Sequence, residues 1–223
     1  MAEVDLHLHT VFSDGSLTPT ELVRLCGERG LKVVSISDHD STEGIPEALE
    51  AARSFPHLTI IPGIELSTDL PGSEIHMLGY FVDYQDAPFQ QILQRFRQDR
   101  QERGRKMVEK LNELGLKVSW ERVAELSGGG AIGRPHIAQA MVEAGYVRYP
   151  RDAFEKYLGR KGVAYVERSK LTPTQAIRIL VDNGALPVMA HPTYSLSKSD
   201  RDDVASLKDT LPGLTKAGLV GME

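Results

Sequence analysis

Five histidines and two carboxylates stand where an apolar chain gains nothing from them. The run "VDLHLHTVFSDG" carries His7 and His9 one residue apart, then Asp14 in a loop opened by Ser13 and Gly15. "SISDHD" ends an apolar run at His39, "IIPGIEL" sets Glu65 among aliphatic residues, "EIHMLGY" carries His76 and "VMAHP" ends at His191. Side chains alternate between two faces of an extended chain, so His7 and His9 share a face and their rings can reach one ion. A hydrogen-bonded pair of core histidines is the competing reading. The other residues tip the balance to metal, because an unpaired carboxylate in an apolar strand is costly. Such a carboxylate can also bridge two cations. Cys26 is the single cysteine, which leaves no thiolate cluster and no intrachain disulfide. With nitrogen and oxygen donors in excess of one ion's needs, two or three divalent ions are expected: Mn²⁺, or else Zn²⁺ or Fe²⁺. Asp5, Asp38 and Asp40 are candidates to orient metal-bound imidazoles through the other ring nitrogen, with loop capping as the alternative. His57, in "SFPHLTI", reads as an exposed turn histidine.

A second group is basic. In "GRPHIAQAMVEAG" a helix is expected to start near His136, with Arg134 beside its N-terminus. That pairing suits a phosphate, although a proline-started helix with a surface arginine would show the same letters. Arg160 and Lys161, in "LGRKG", are a weaker pair of the same kind. The net charge of −5 conceals a balance of +7 over Gln94–Lys170 and −12 over the rest. A basic middle could meet a phosphate-bearing ligand, or could be the solvated face of a helical insertion.

These groups need elements to position them. Residues 3–9 alternate as a strand, and "LTPTELVRLCGERG" reads as a helix capped by Thr18 and Glu21, started by Pro19 and stopped by Gly30. "LKVVSISD" is a strand, "EGIPEALEAARSF" a helix, "LTIIPGIELST" a third strand ending near Glu65, and "SEIHMLGYFVD" a fourth. "LTPTQAIRILVDNGALPVMAHP" repeats the first phrase, with Thr172 and Gln175 as cap and Gly184 as stop. Alternating strands and helices argue for a parallel α/β fold. Donors near strand ends favour a barrel, whose strand C-termini converge on one mouth. Residues 86–165 break the alternation with one long helix and two or three short ones. The expected organisation is a discontinuous barrel domain, 1–98 and 167–223, carrying a helical insertion over 99–166.

Taken in order, "DLHLHTVFSDG", "SDHD", "PGIEL", "EIHMLGY", "GRPHIA" and "AHP" resemble the polymerase and histidinol phosphatase (PHP) family over nearly the whole chain. The basic insertion resembles that of the TrpH-like phosphoesterases, which include 3',5'-nucleoside bisphosphate phosphatases and a 5'-to-3' exoribonuclease activity. The resemblance implies a distorted (β/α)7 barrel with a trinuclear site at its mouth. It implies one metal position from His7, His9 and Glu65, a second from Glu65, His76 and His191, and a third from Asp14 and His39. It sets Arg134 on substrate phosphate with His136 in support, and Arg134 and His191 at the reacting centre. Hydrolysis of a nucleotide phosphomonoester by a metal-bridging hydroxide is then expected, with trimming of short RNA as a related activity. Family members continue to a "GSDFH"-like motif whose Asp and His complete the first and third positions. This sequence reaches "GLVGME" without one, so the expectation is that C-terminal strands are missing from the chain, and Glu223 is not assumed to replace the motif.

Two other readings remain: an amidohydrolase-like C–N hydrolase, which shares the H-x-H strand, and a non-catalytic module that binds metal or nucleic acid. The single cysteine, the acidic start and the absence of a long apolar stretch lead to the cytoplasm as the expected compartment, with no membrane and no obligate protein partner evident.

Overall fold

A computed structural model describes residues 3–70, 73–167, 171–192 and 210–223. One sheet of six strands organises the described residues: β1 (Val4–Leu8), β2 (Val33–Ile36), β3 (Thr59–Leu70), β4 (Ser73–Tyr80), β5 (Leu186–Ala190) and β6 (Gly221–Met222), in that spatial order. Helices α1 (Pro19–Glu28) and α2 (Ile45–Ala52) connect the parallel strands β1, β2 and β3. Helix α1 forms where the cap chemistry places it. The Thr18 hydroxyl accepts from the Glu21 N–H, the Glu21 carboxylate accepts from the Thr18 N–H, and the chain leaves through Gly30 at φ 75°. Thr172, Gln175 and Gly184 repeat the device around α7 (Pro173–Asp182), which leads into β5.

The sheet is mixed, not all parallel. β4 runs antiparallel to both β3 and β5, and β5 to β6 is parallel again. Only two residues separate β3 from β4, too few for the helical crossover that a parallel neighbour requires. Nor does β3 end at Glu65. It runs on to Leu70, with residues 59–62 paired to β2 and residues 63–70 paired to β4. Gly63 sits at this change of partner, where a Cβ would lie 2.2 Å from Ser35 Oγ and 2.9 Å from the Ile36 carbonyl oxygen.

One face of β3–β5 packs Ile64, Leu66, Ile75, Met77 and Met189 against Ala176, Ile177 and Leu180 of α7. On the first three strands, Val34, Ile36 and Ile60 meet Leu22, Val23, Cys26 and Ala48 of α1 and α2. A small inner cluster of Leu78, Tyr80 and Ala190 takes in Leu6, Ile61 and Val188. A register irregularity between Asp5 and Leu8 turns β1, so that Leu6 joins this inner cluster while Leu8 packs toward α1 and α2. β1 and β6 are the two edges of the strand order, yet His7 Nδ1 lies 3.1 Å from Glu223 Oε2 just beyond β6. The sheet therefore curls until its edges meet through side chains, a half-barrel with one polar mouth.

Helix α3 (Ala87–Glu113), capped by Asp86, serves two cores. Its first half gives Phe89 and Leu93 to the α7 cluster, and its second half gives Met107, Val108 and Leu111 to a cluster built wholly from residues 107–164. That second cluster holds α4 (Trp120–Leu126), α5 (Arg134–Glu143), the short α6 (Pro150–Ala153) and a π-helical turn over Phe154–Leu158. Among the described residues, no helix is long and apolar enough to cross a membrane.

Candidate active site

Glu65 is 1% exposed and stands at the centre of five imidazoles. Its Oε1 lies 2.9 Å from His76 Nδ1 and 3.0 Å from His191 Nε2. Its Oε2 lies 2.9 Å from His39 Nδ1 and 3.4 Å from both His7 Nε2 and His9 Nε2. Strand geometry explains the gathering. Glu65 points opposite to Ile64 and Leu66, His76 opposite to Ile75 and Met77, and β1 and β5 deliver His7 and His191 at the same end of the sheet. Asp14 adds a carboxylate, 3.5 Å from His9 Nδ1 and 3.6 Å from His39 Nε2.

The charges interlock. Burial would raise the pKa of Glu65, but the charge on His39, the hydrogen bond from His191 and the close approach of His39 and His7 hold it far below the usual carboxylate range. Burial would lower His7, yet hydrogen bonding and charge from Glu65, with Glu223 behind it, raise it to about 9. His9 goes the other way, lowered to about 4 by burial and by the positive charge of His39. His39 itself is raised, Glu65 outweighing burial. Asp14 is held low against the effect of burial by His39, His9 and Arg100.

The donor set fits divalent cations. Nε2 of His7 and Nδ1 of His39 are buried and make no aligned hydrogen bond, although Glu65 lies within 3.4 and 2.9 Å of them. A divalent ion bound there would displace the proton from each ring nitrogen and take its lone pair. Among the described residues, two sets have donor atoms within 4.8 Å of one another: His7 with Glu65 and His191, and His9 with His39 and Glu65. The groupings of the resemblance have support of their own: His7 and His9 both face Oε2 of Glu65, and His76 and His191 both face Oε1. The curl of the sheet also stacks the His7 and His191 rings, with centroids 5.7 Å apart.

A family comparison agrees with this chemistry: the PHP domain model matches residues 5–160. The chain belongs to the PHP domain family. It is 40% identical over 195 residues to the 5'-3' exoribonuclease Rnm of Salmonella typhimurium, covering 86% of this chain and 67% of that protein. It is 32% identical to the 3',5'-nucleoside bisphosphate phosphatase of Chromobacterium violaceum, with the same two coverages. Among solved structures, one from Bifidobacterium adolescentis, whose name proposes a metal-dependent phosphoesterase, superposes with a TM-score of 0.87 at 30% identity over 100% of this chain and 77% of that one. The expected PHP-type α/β fold and the expected class, a metal-dependent hydrolase, accord with these likenesses.

Within this PHP chain the orienting aspartates have other work. Asp38 accepts from the Thr10 N–H and hydroxyl at 2.7 and 2.6 Å and from the Ser13 hydroxyl at 2.6 Å, so it shapes the loop that carries Asp14. Asp40 takes the Arg100 guanidinium and the Ser67 N–H, and Asp5 takes the His7 backbone N–H. None of the three meets an imidazole in these bonds; loop capping and arginine pairing prevail. His57 is exposed, its ring against the Gly27 carbonyl.

A cleft of about 250 Å³ opens beside the histidine ring, lined by Asp14, His39 and His76 on one side and Arg100, Arg103 and Arg134 on the other. Met107, Ile132, Ile137 and Phe154 give it an apolar portion. Arg134 lies over the Phe154 ring at 5.6 Å. His136, Arg160 and Lys161 do not line it. His136 is buried, and its Nδ1 accepts the Gly133 N–H at 3.0 Å, capping the helix that carries Arg134. Sequence reasoning passed over Arg100 and Arg103 and gave Glu223 no role. Arg97, Arg100 and Arg103 recur every third residue, one face of a helix, which was a usable signal. Glu223 had none, because only the curl of the sheet brings it to His7.

Proposed function

We propose that this chain hydrolyses a nucleotide phosphomonoester, converting a 3',5'-nucleoside bisphosphate to the nucleoside 5'-monophosphate, and trims short RNA in the 5'-to-3' direction. The carrying observation is the buried Glu65 carboxylate, ringed by five imidazoles, two of which, His39 and His76, line an arginine-bearing cleft. His7, His9, Asp14, His39, Glu65, His76 and His191 would hold two or three ions, Mn²⁺ first among them. When bound, these supply Lewis acidity and a water of lowered pKa. Glu65, ionised throughout the working range, neutralises part of their charge. Arg134 meets the phosphoryl oxygens, and its stabilisation grows as they gain charge. Arg100, fixed by Asp40 and Ser67, adds a set positive charge at the same wall. His136 supports Arg134 through the helix cap, and Arg160 and Lys161 extend the basic rim toward longer substrates. Residues 99–166 form the cap that presents these arginines, and the apolar portion of the cleft suits a sugar and base. The cytoplasm supplies such substrates.

The test is a panel of 3',5'-bisphosphates, monophosphates, oligoribonucleotides and a cyclic amide, with metal-loaded and metal-stripped protein. Metal-dependent release of the 3'-phosphate is expected. Turnover of the amide alone, or RNA binding without hydrolysis under metal-replete conditions, overturns the reading in favour of its rivals.

A further inference from the structure

Glu223 is joined to both histidines of one candidate ion set. Its carboxylate lies 3.1 and 3.3 Å from His7 Nδ1 and accepts the His191 N–H at 3.1 Å. The Glu223 backbone is itself anchored, since its N–H continues the β5–β6 ladder to the Met189 carbonyl at 3.0 Å. His191 sits at φ 30°, left-handed backbone that a residue with a side chain rarely adopts. A hydrogen bond to its N–H helps hold that turn, and the turn is what aims His191 Nε2 at Glu65.

We propose that Glu223 is a positioning residue for the ion held by His7, Glu65 and His191, an inference that rests on the metal-centre reading above. A proton kept on His7 Nδ1 by the carboxylate leaves Nε2 with its lone pair toward Glu65. The negative charge behind the ring makes that nitrogen a better donor, the arrangement by which carboxylates tune metal-bound histidines. The side chain is 41% exposed, so the effect belongs at the lower end of the usual range.

Competition against a chromophoric chelator, with wild type, Glu223→Gln and Glu223→Ala, measures each ion's affinity and the number bound at saturation. In Glu223→Ala one ion should weaken about tenfold while the others hold, with the saturated count and the metal-free melting temperature unchanged. Glu223→Gln, whose amide oxygen can still accept both N–H groups, should fall between. Affinities within twofold of wild type overturn the proposal. So does a uniform loss at every ion in step with a lower metal-free melting temperature, which marks a merely structural role. Wild type that takes up no metal overturns the metal-centre reading and this inference together, whereas wild type that loads while Glu223→Ala loads equally overturns this inference alone.

Discussion

Glu65 decides the chemistry at the scale of single residues. Five imidazoles around one carboxylate compete for its two oxygens. Glu65→Gln keeps the size and removes the charge, so metal content should drop below one ion per chain by elemental analysis. Loss of about 4 kcal/mol of transition-state stabilisation, roughly a thousandfold in turnover, should follow. His136 gives a pH signature independent of metal. Burial lowers its pKa, whereas the unfolded chain takes up a proton near the ordinary value of about 6.5. Below that pH the unfolded state binds more protons, so this contribution to stability is present above about 6.5 and is lost as pH falls toward the lowered folded value. His136→Leu should cost about 1–2 kcal/mol at pH 7.5 through the lost Gly133 bond. Urea melts of metal-free protein should show the variant losing less stability than wild type between pH 7.5 and 5.5. The ring of donors was legible in the sequence because histidines and a glutamate inside apolar runs carry a penalty that only a function offsets. Glu223 was not, since nothing local distinguishes a carboxylate whose role is set by a strand more than two hundred residues away.

At the scale of elements, caps and stops could be read directly: Thr18 with Glu21 and Thr172 with Gln175 act within one helical turn, where sequence and geometry coincide. The direction of β4 and the length of β3 were not readable, because they depend on which neighbours the strand finds after Gly63. That glycine is a close approach of three strands. Gly63→Ala should lower stability by about 1–3 kcal/mol, and because Glu65 follows two residues later, it should weaken metal binding as well. Chemical denaturation alongside metal titration checks both. On the cap side, Arg134 lies beside the cleft at the start of α5. If it meets a substrate phosphate, Arg134→Ala should flatten the dependence of log affinity on log salt for a short RNA by about 0.7. An unchanged slope removes Arg134 from the phosphate.

For the whole molecule, ions bound between β1, β3, β4 and β5 act on the folding equilibrium itself. At about one hundred times its dissociation constant, one ion adds about 2.7 kcal/mol to the folded state. In a chain of this size that is a rise of roughly 5–10 °C in melting temperature, reversed by chelation. A scanning melt with and without a chelator measures it. The mixed sheet and the shared helix α3 were beyond sequence reasoning at this scale, because both arise from how elements meet and not from what each contains.

The meeting of His7 with Glu223, 216 positions apart, and of Glu65 with His191, 126 apart, also has a bearing on time. Contacts that close such long loops form late, after the local αβ turns around α1 and α2 have settled. High-affinity metal uptake is therefore expected late in refolding, and a stopped-flow metal indicator would time the closure of the sheet. Until the two edges of the sheet have found each other, His7, His191 and Glu223 lie apart, and no tight site joins them.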